Sequence, residues 1–225
     1  KLVVEENADL GIVVDPDVDR LALVCEDGSM FGEEYTLVTV SDFVLSKTPG
    51  NTVSNLSSTR ALRDITNNHK YNYESSAVGE VNVVEKMKAT NAIIGGEGNG
   101  GIIYPELHYG RDALVGIALF LTQLAEKKIS IKELRDFYPN YFISKNKIEL
   151  TSEINIDNIL STLEEKYKNE QITTIDGLKI DFEDGWIHLR KSNTEPIIRI
   201  YAESEGEEKA NSFAQKMINE IKELI

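Results

Sequence analysis

"AIIGGEGNGGIIYPE", residues 92–106, sets an apolar run on either side of a turn dense in glycine. Ala92–Ile94 reads as a strand that enters the loop, and the stretch from Gly101 reads as a second short strand. "GRDALVGIALFLTQLAEKK" (110–128) follows at once as a strong helix. Asp112 is a good N-cap for it, and lysines occupy its last turn, where cations suit the helix dipole. Strand, glycine loop, strand and helix in that order point to an α/β layer architecture.

Working outward, the same alternation covers residues ~30–140. Leu37, Val40, Val44 and Leu45 fit helical spacing, "TVSNLSS" (52–58) is a strand running into a loop, and "STRALRDITNNH" (58–69) has a helix start signal. "KYNYESS" (70–76) is a further strand, and "GEVNVVEKMKATN" (79–91) is a helix ending at Asn91. Another texture begins near Pro139. "KIELT" is a strand, "INIDNILSTLEEKY" (154–167) an amphipathic helix, and "LKIDF", "WIHLR" and "IIRIYAE" are alternating segments, the first two joined by an "EDG" turn. Ala210, Phe213, Ala214, Met217, Ile218, Ile221 and Leu224 form the stripe of a last helix. The expected fold class is a mixed-sheet α/β domain followed by a small α+β C-terminal domain.

The 225 residues carry a formal net charge of −14, which argues against a nucleic-acid partner. No apolar run is long enough for a membrane span, no signal-peptide pattern opens the chain, and cytoplasm is the expected location. Cys25 is the one cysteine and reads as a small buried hydrophobe. The first residue is Lys1 rather than Met, so the chain reads as a fragment or a processed product.

Three stretches carry chemistry. "DPDVDR" (15–20) places Asp15, Asp17 and Asp19 at alternate positions between two short apolar strands. Carboxylates so close repel one another unless a cation sits among them, and their hard oxygens suit Mg²⁺ or Ca²⁺. An EF-hand register would need glycine where Arg20 stands, and helical rather than β flanks. A solvated salt-bridge cluster around Arg20 is the bland alternative. "RKSNTEPIIR" (190–199) gathers Arg190, Ser192, Asn193, Thr194 and Arg199 about a turn, a donor set apt for a phosphate dianion; a polar hairpin with surface ion pairs is its alternative. In "GGEGNGG" (95–101), Glu97 and Asn99 are the only side chains able to read a ligand such as neighbouring sugar hydroxyls, the alternative being a flexible turn.

In this order the three loops resemble those of the α-D-phosphohexomutases. "DPDVDR" resembles the family's metal loop, Asp-Gly-Asp-x-Asp-Arg, with Pro16 in place of the glycine. "GEGNG" is similar to its sugar-reading Gly-Glu-x-Ser-Gly, with Asn99 in place of the serine, and "RKSNTEP" with Arg199 is close to its phosphate loop. "SAVGEVN" lacks a basic residue found in many relatives. The resemblance implies the end of a metal-binding domain at 1–30, a sugar-binding α/β domain at 31–140 and a phosphate-binding α+β domain at 141–225.

It further implies Mg²⁺ on Asp15, Asp17 and Asp19, Arg20 as the catalytic residue near the transferring phosphoryl, and sugar contacts from Glu97 and Asn99. Arg190, Ser192, Asn193, Thr194 and Arg199 would grip the phosphate that does not react. The implied activity interconverts hexose 6-phosphate and 1-phosphate through an enzyme phosphoserine and a bisphosphate, with glucosamine phosphate favoured over mannose or glucose phosphate. No histidine here follows a serine, so the family's Ser-His-Asn-Pro motif is absent from these residues and the chain alone is expected to be inactive. A non-catalytic sugar-phosphate-binding module is the competing expectation.

Overall fold

The computed structural model describes residues 1–149, 154–192 and 196–225. They form two compact units, Lys1–Pro139 and Asn140–Ile225. The first opens with a short helix, α1 (Leu2–Glu5), and an antiparallel hairpin of β1 (Leu10–Val14) and β2 (Leu21–Cys25). β2 buries Leu21, Leu23 and Cys25 on one face, whereas β1 leaves Ile12, Val13 and Val14 exposed. α2 (Glu33–Lys47) is buried over most of its surface because it packs against α3 (Ala61–Asn68), β5 (Ala92–Glu97) and α5 (Ala113–Lys127). Between these lie β3 (Asn51–Asn55), β4 (Tyr73–Ser76), α4 (Glu80–Thr90) and β6 (Gly101–Ile103), and α6 (Ile131–Asp136) closes the unit.

The four-stranded sheet has the order β4-β3-β5-β6, with β3, β4 and β5 parallel and β6 antiparallel to β5. Parallel neighbours need crossover connections, which α3 and α4 supply. Asn91 ends α4 in the left-handed conformation, with φ of 51°. Asp112 caps α5 as its spacing predicts, accepting from the N–H groups of Leu114 at 2.7 Å and Val115 at 3.1 Å. This topology sends the carboxyl ends of β3, β4 and β5 to one edge, where ligands gather in open α/β sheets. Asn55, Ser76 and Glu97 are the last residues of those strands.

The second unit runs β7 (Tyr141–Glu149), α7 (Ile156–Lys166), β8 (Gln171–Thr173), β9 (Leu178–Phe182), β10 (Gly185–Lys191), β11 (Ile197–Glu205) and α8 (Glu207–Leu224). Its sheet, in the order β7-β11-β10-β9-β8, is antiparallel throughout. Leu178, Ile180, Ile187, Leu189, Ile198 and Ile200 pack with Ile159 and Leu163 of α7 and with Ala214, Met217 and Ile221 of α8. Leu224, expected on that stripe, is exposed instead, in the final turn of α8. β7 starts well before "KIELT": Ser144 donates to Asn211 Oδ1 at 2.6 Å and Asn146 donates to Ser144 at 2.9 Å, so polar residues on the strand are satisfied locally. Both mixed α/β architecture and a following α+β unit are therefore present. Among the described residues, no helix is long and apolar enough to cross a membrane.

Candidate functional site

The aspartate loop closes on itself. Asp15 Oδ1 accepts from the N–H groups of Asp19 at 3.1 Å and Arg20 at 3.2 Å, and Val18 N donates to the Asp15 carbonyl at 3.0 Å. Val18 sits at φ of 56°, a left-handed conformation that costs a β-branched residue energy. Two clamps from other elements hold it there: Ala113 N donates to the Val18 carbonyl and Leu21 N to the Gly100 carbonyl, each at 3.1 Å.

Asp19 is held above the ordinary carboxylate range, first by desolvation and then by the Asp15 carboxyl beside it, while Arg111 pulls the other way. Asp15 moves down: burial opposes the shift, but the Arg20 and Asp19 donors outweigh it. The structure thus brings Asp15 and Asp19 together, whereas Asp17 stays exposed. Among the described residues, no three His, Cys, Asp or Glu side chains gather in a metal-holding group. Asp15 and Asp19 nevertheless offer hard oxygen donors of the kind a divalent cation takes, and Asp19 Oδ1 is buried with no hydrogen-bond partner. Arg20 lies 3.7 Å from both Asp15 and Asp19 with half of its side chain exposed, which leaves it room to swing.

Glu97 ends β5 and is buried. Its Oε1 accepts from Asn55 Nδ2 at 2.8 Å and Gly79 N at 3.2 Å, and its Oε2 accepts from Arg111 Nη1 at 2.8 Å. Asn99 folds back so that its Oδ1 accepts from Gly101 N at 3.1 Å. Gly100, at φ of 83°, lets the loop lie against the backbone of Leu21.

Arg111 was not singled out in the sequence, yet it links the two loops. Its guanidinium pairs with Asp19 through Nη2, with Glu97 through Nη1, and with Glu80 through Nε at 3.4 Å. Only its place in "GRD", between a short strand and a capped helix, marked it out. Asn55, beside Glu97, and Glu80, beside Arg111, were missed for the same reason: each sits at a strand or helix end that only the tertiary fold brings to these loops.

In the second unit, Arg190 of β10 faces Arg199 of β11 as a direct cross-strand pair. Like charges so placed repel, which favours an anion beside them. Asp176 Oδ2 offsets part of this charge at 3.6 Å from Arg190 Nη1. Ser192 is buried, and its N–H donates to the Ile197 carbonyl at 3.1 Å. Asn193 and Thr194 lie outside the described residues.

His188, below Arg190 on the same strand, hydrogen-bonds the Asp176 carbonyl through Nε2 at 2.7 Å. Burial pushes its pKa down to about 4, against that hydrogen bond and with help from Lys179. The folded state therefore binds a proton more weakly than the unfolded one. Stability is whole above about pH 6.5 and falls as pH drops towards about 4, by roughly 3 kcal/mol across that window. Denaturant titrations followed by Trp186, the one tryptophan, should show this loss, and His188→Gln should flatten it.

Residues 32–141 match the family model described as phosphoglucomutase/phosphomannomutase, alpha/beta/alpha domain III, and residues 146–220 match that of the C-terminal domain of the same proteins. The phosphoglucosamine/phosphogalactosamine mutase of Sulfurisphaera tokodaii is 33% identical over 97% of this chain and 48% of its own length. A crystal structure of a phosphoglucomutase/phosphomannomutase family protein from Burkholderia thailandensis aligns at a TM-score of 0.82, with 23% identity, over 98% of this chain and 47% of that one. The Aspergillus fumigatus N-acetylphosphoglucosamine mutase, solved with GlcNAc-6P and magnesium, aligns at 0.68 with 15% identity over 93% of this chain and 51% of that one. The chain spans about half the length of the curated relatives it matches.

Proposed function

Because this chain belongs to the phosphoglucomutase/phosphomannomutase family, we propose that it is the part of a phosphohexomutase that holds the cation and the sugar phosphate. The parent enzyme interconverts hexose 6-phosphate and hexose 1-phosphate through a phosphoserine carried outside these residues and a bisphosphate intermediate. The observation that carries this reading is the meeting of the aspartate loop with the Glu97 loop on Arg111. A close pair of half-buried carboxylates and a buried glutamate serve no evident purpose in a plain surface turn, where burying charge is costly.

In this reading Asp15, Asp17 and Asp19 hold Mg²⁺, which when bound draws negative charge off a phosphoryl group. Arg20 swings from its loose pairs with Asp15 and Asp19 to the phosphoryl oxygens. Glu97 and Asn99 read sugar hydroxyls, for which each must trade one internal hydrogen bond. Arg190, Ser192, Asn193, Thr194 and Arg199 grip the other phosphate, so that positioning and electrostatics carry the catalysis. Glucosamine phosphate is the favoured substrate, supported by the activity named for the Sulfurisphaera relative; mannose and glucose phosphates are the alternatives. A cytoplasmic location belongs to the same reading.

The chain alone should show no turnover of glucosamine 6-phosphate in the presence of glucosamine 1,6-bisphosphate. Co-expression with the serine-bearing half of a relative should restore it. Turnover by the chain alone, or none once that half is bound, would overturn the proposal.

A further inference from the structure

Arg111 is fixed before its side chain begins. Its backbone bridges to Ile103, Asp112 N donates to the Ile102 carbonyl at 2.8 Å, and Arg111 N itself donates to Glu80 Oε1 at 3.0 Å. The side chain is only 13% exposed. From that root its nitrogens diverge: one Nη to Asp19 on the first loop, the other to Glu97 on the second, and Nε towards Glu80. Three carboxylates thus converge on one delocalised cation, and without it their repulsion would splay the loops. Asp19 spends Oδ2 on the guanidinium, which leaves buried Oδ1 without a hydrogen bond. Glu97 likewise spends Oε2 there and directs Oε1 to Asn55 and Gly79.

We propose that Arg111 is a positioning residue that couples the aspartate loop to the Glu97 loop and decides which carboxylate oxygens each loop presents. That those loops take a cation and a sugar rests on the function proposed above; the coupling itself does not. A cation arriving at Asp19 competes with the guanidinium for the carboxylate, and Glu97 registers the change. Occupancy of the two loops is then linked in both directions. A lysine cannot substitute, since a single ammonium lacks the planar fork that reaches two loops at once.

The test uses this chain and amide exchange read by NMR. In the wild type, Asp19→Asn should change exchange at Gly96, Gly98 and Gly100 by roughly tenfold, and in an Arg111→Met background by less than about twofold. Arg111→Lys should behave as Arg111→Met does. Equal effects of Asp19→Asn in both backgrounds, or full rescue by lysine, would overturn the coupling. Should Arg111→Met fail to fold, the reciprocal measurement decides: Glu97→Gln must alter the amides of Asp19 and Arg20, and silence there refutes the proposal. A parallel MgCl₂ titration should move residues 15–20 and, through Arg111, the Glu97 loop. If it moves neither, the cation reading falls while the Asp19→Asn comparison still judges Arg111.

Discussion

Arg190→Ala is expected to remove most of the thermal stabilisation that a hexose phosphate gives the wild-type chain. The reason lies in the register: Arg190 and Arg199 oppose each other on adjacent strands, and the Asp176 carboxylate, 3.6 Å from Arg190 Nη1, helps to hold that fork in place. Losing a charge-assisted hydrogen-bonding group costs about 2–3 kcal/mol, roughly 100-fold in affinity. At a ligand concentration about 100 times Kd, the wild type gains about 2.7 kcal/mol, and the variant would keep only about 0.4 kcal/mol. Glucose 6-phosphate is a sufficient probe, with differential scanning fluorimetry as the readout. Glucose at the same concentration should give no shift in either protein, because the contact at stake is to the phosphate. A shift of wild-type size in Arg190→Ala removes the second unit from the phosphate-binding proposal.

Gly100→Ala is expected to cost about 3 kcal/mol, a fall of roughly 6–12 °C in Tm. Two penalties combine there. The backbone is left-handed at φ of 83°, and an added Cβ would stand 2.2 Å from the Leu21 carbonyl oxygen. Relief would require breaking the Leu21 N to Gly100 carbonyl hydrogen bond, which ties the start of β2 to the glycine loop. Gly206 supplies the control, with φ of 86° but nothing within 4 Å of an added Cβ. Gly206→Ala should therefore show the conformational penalty alone, about 1 kcal/mol. Equal losses at the two positions would mean that the contact with Leu21 contributes nothing.

Much of this architecture can be read from local pattern. The α4 terminus at Asn91, the Asp112 cap and the tight turn after Phe182 are set by residues within one turn of the chain, and the structure has each of them. α6 was legible too: Ser130 and Glu133 form a capping box whose Ser-x-x-Glu spacing went unread. β8 offers only Gln171–Thr173 at a sheet edge, too short for alternation to show. The candidate site was legible in its loops and hidden in its connections. Asp19, Glu97 and Arg190 announce themselves by residue type, whereas Arg111 acts across 92 positions to Asp19 and 14 to Glu97. No spacing rule covers such distances; the first is closed where Ala113 and Leu21 hydrogen-bond the facing loops, the second by the return of β6 beside β5. Glu97 also proves less free than its glycine-rich surroundings suggest, since both of its oxygens are already engaged.

The open flank of β1 has a consequence for how the chain behaves in solution. Among the described residues that strand pairs only with β2, and three adjacent β-branched side chains, Ile12, Val13 and Val14, lie bare along it. It carries no lysine, proline or bulge of the kind that blunts sticky strand borders elsewhere. The −14 charge of the whole molecule opposes such association, a colloidal defence rather than a local one. Its reach contracts from about 10 Å in 0.1 M salt to about 3 Å in 1 M salt. Concentrated electrolyte therefore strips away the repulsion while strengthening the apolar attraction that remains, and dilute buffer is the gentler medium for this protein.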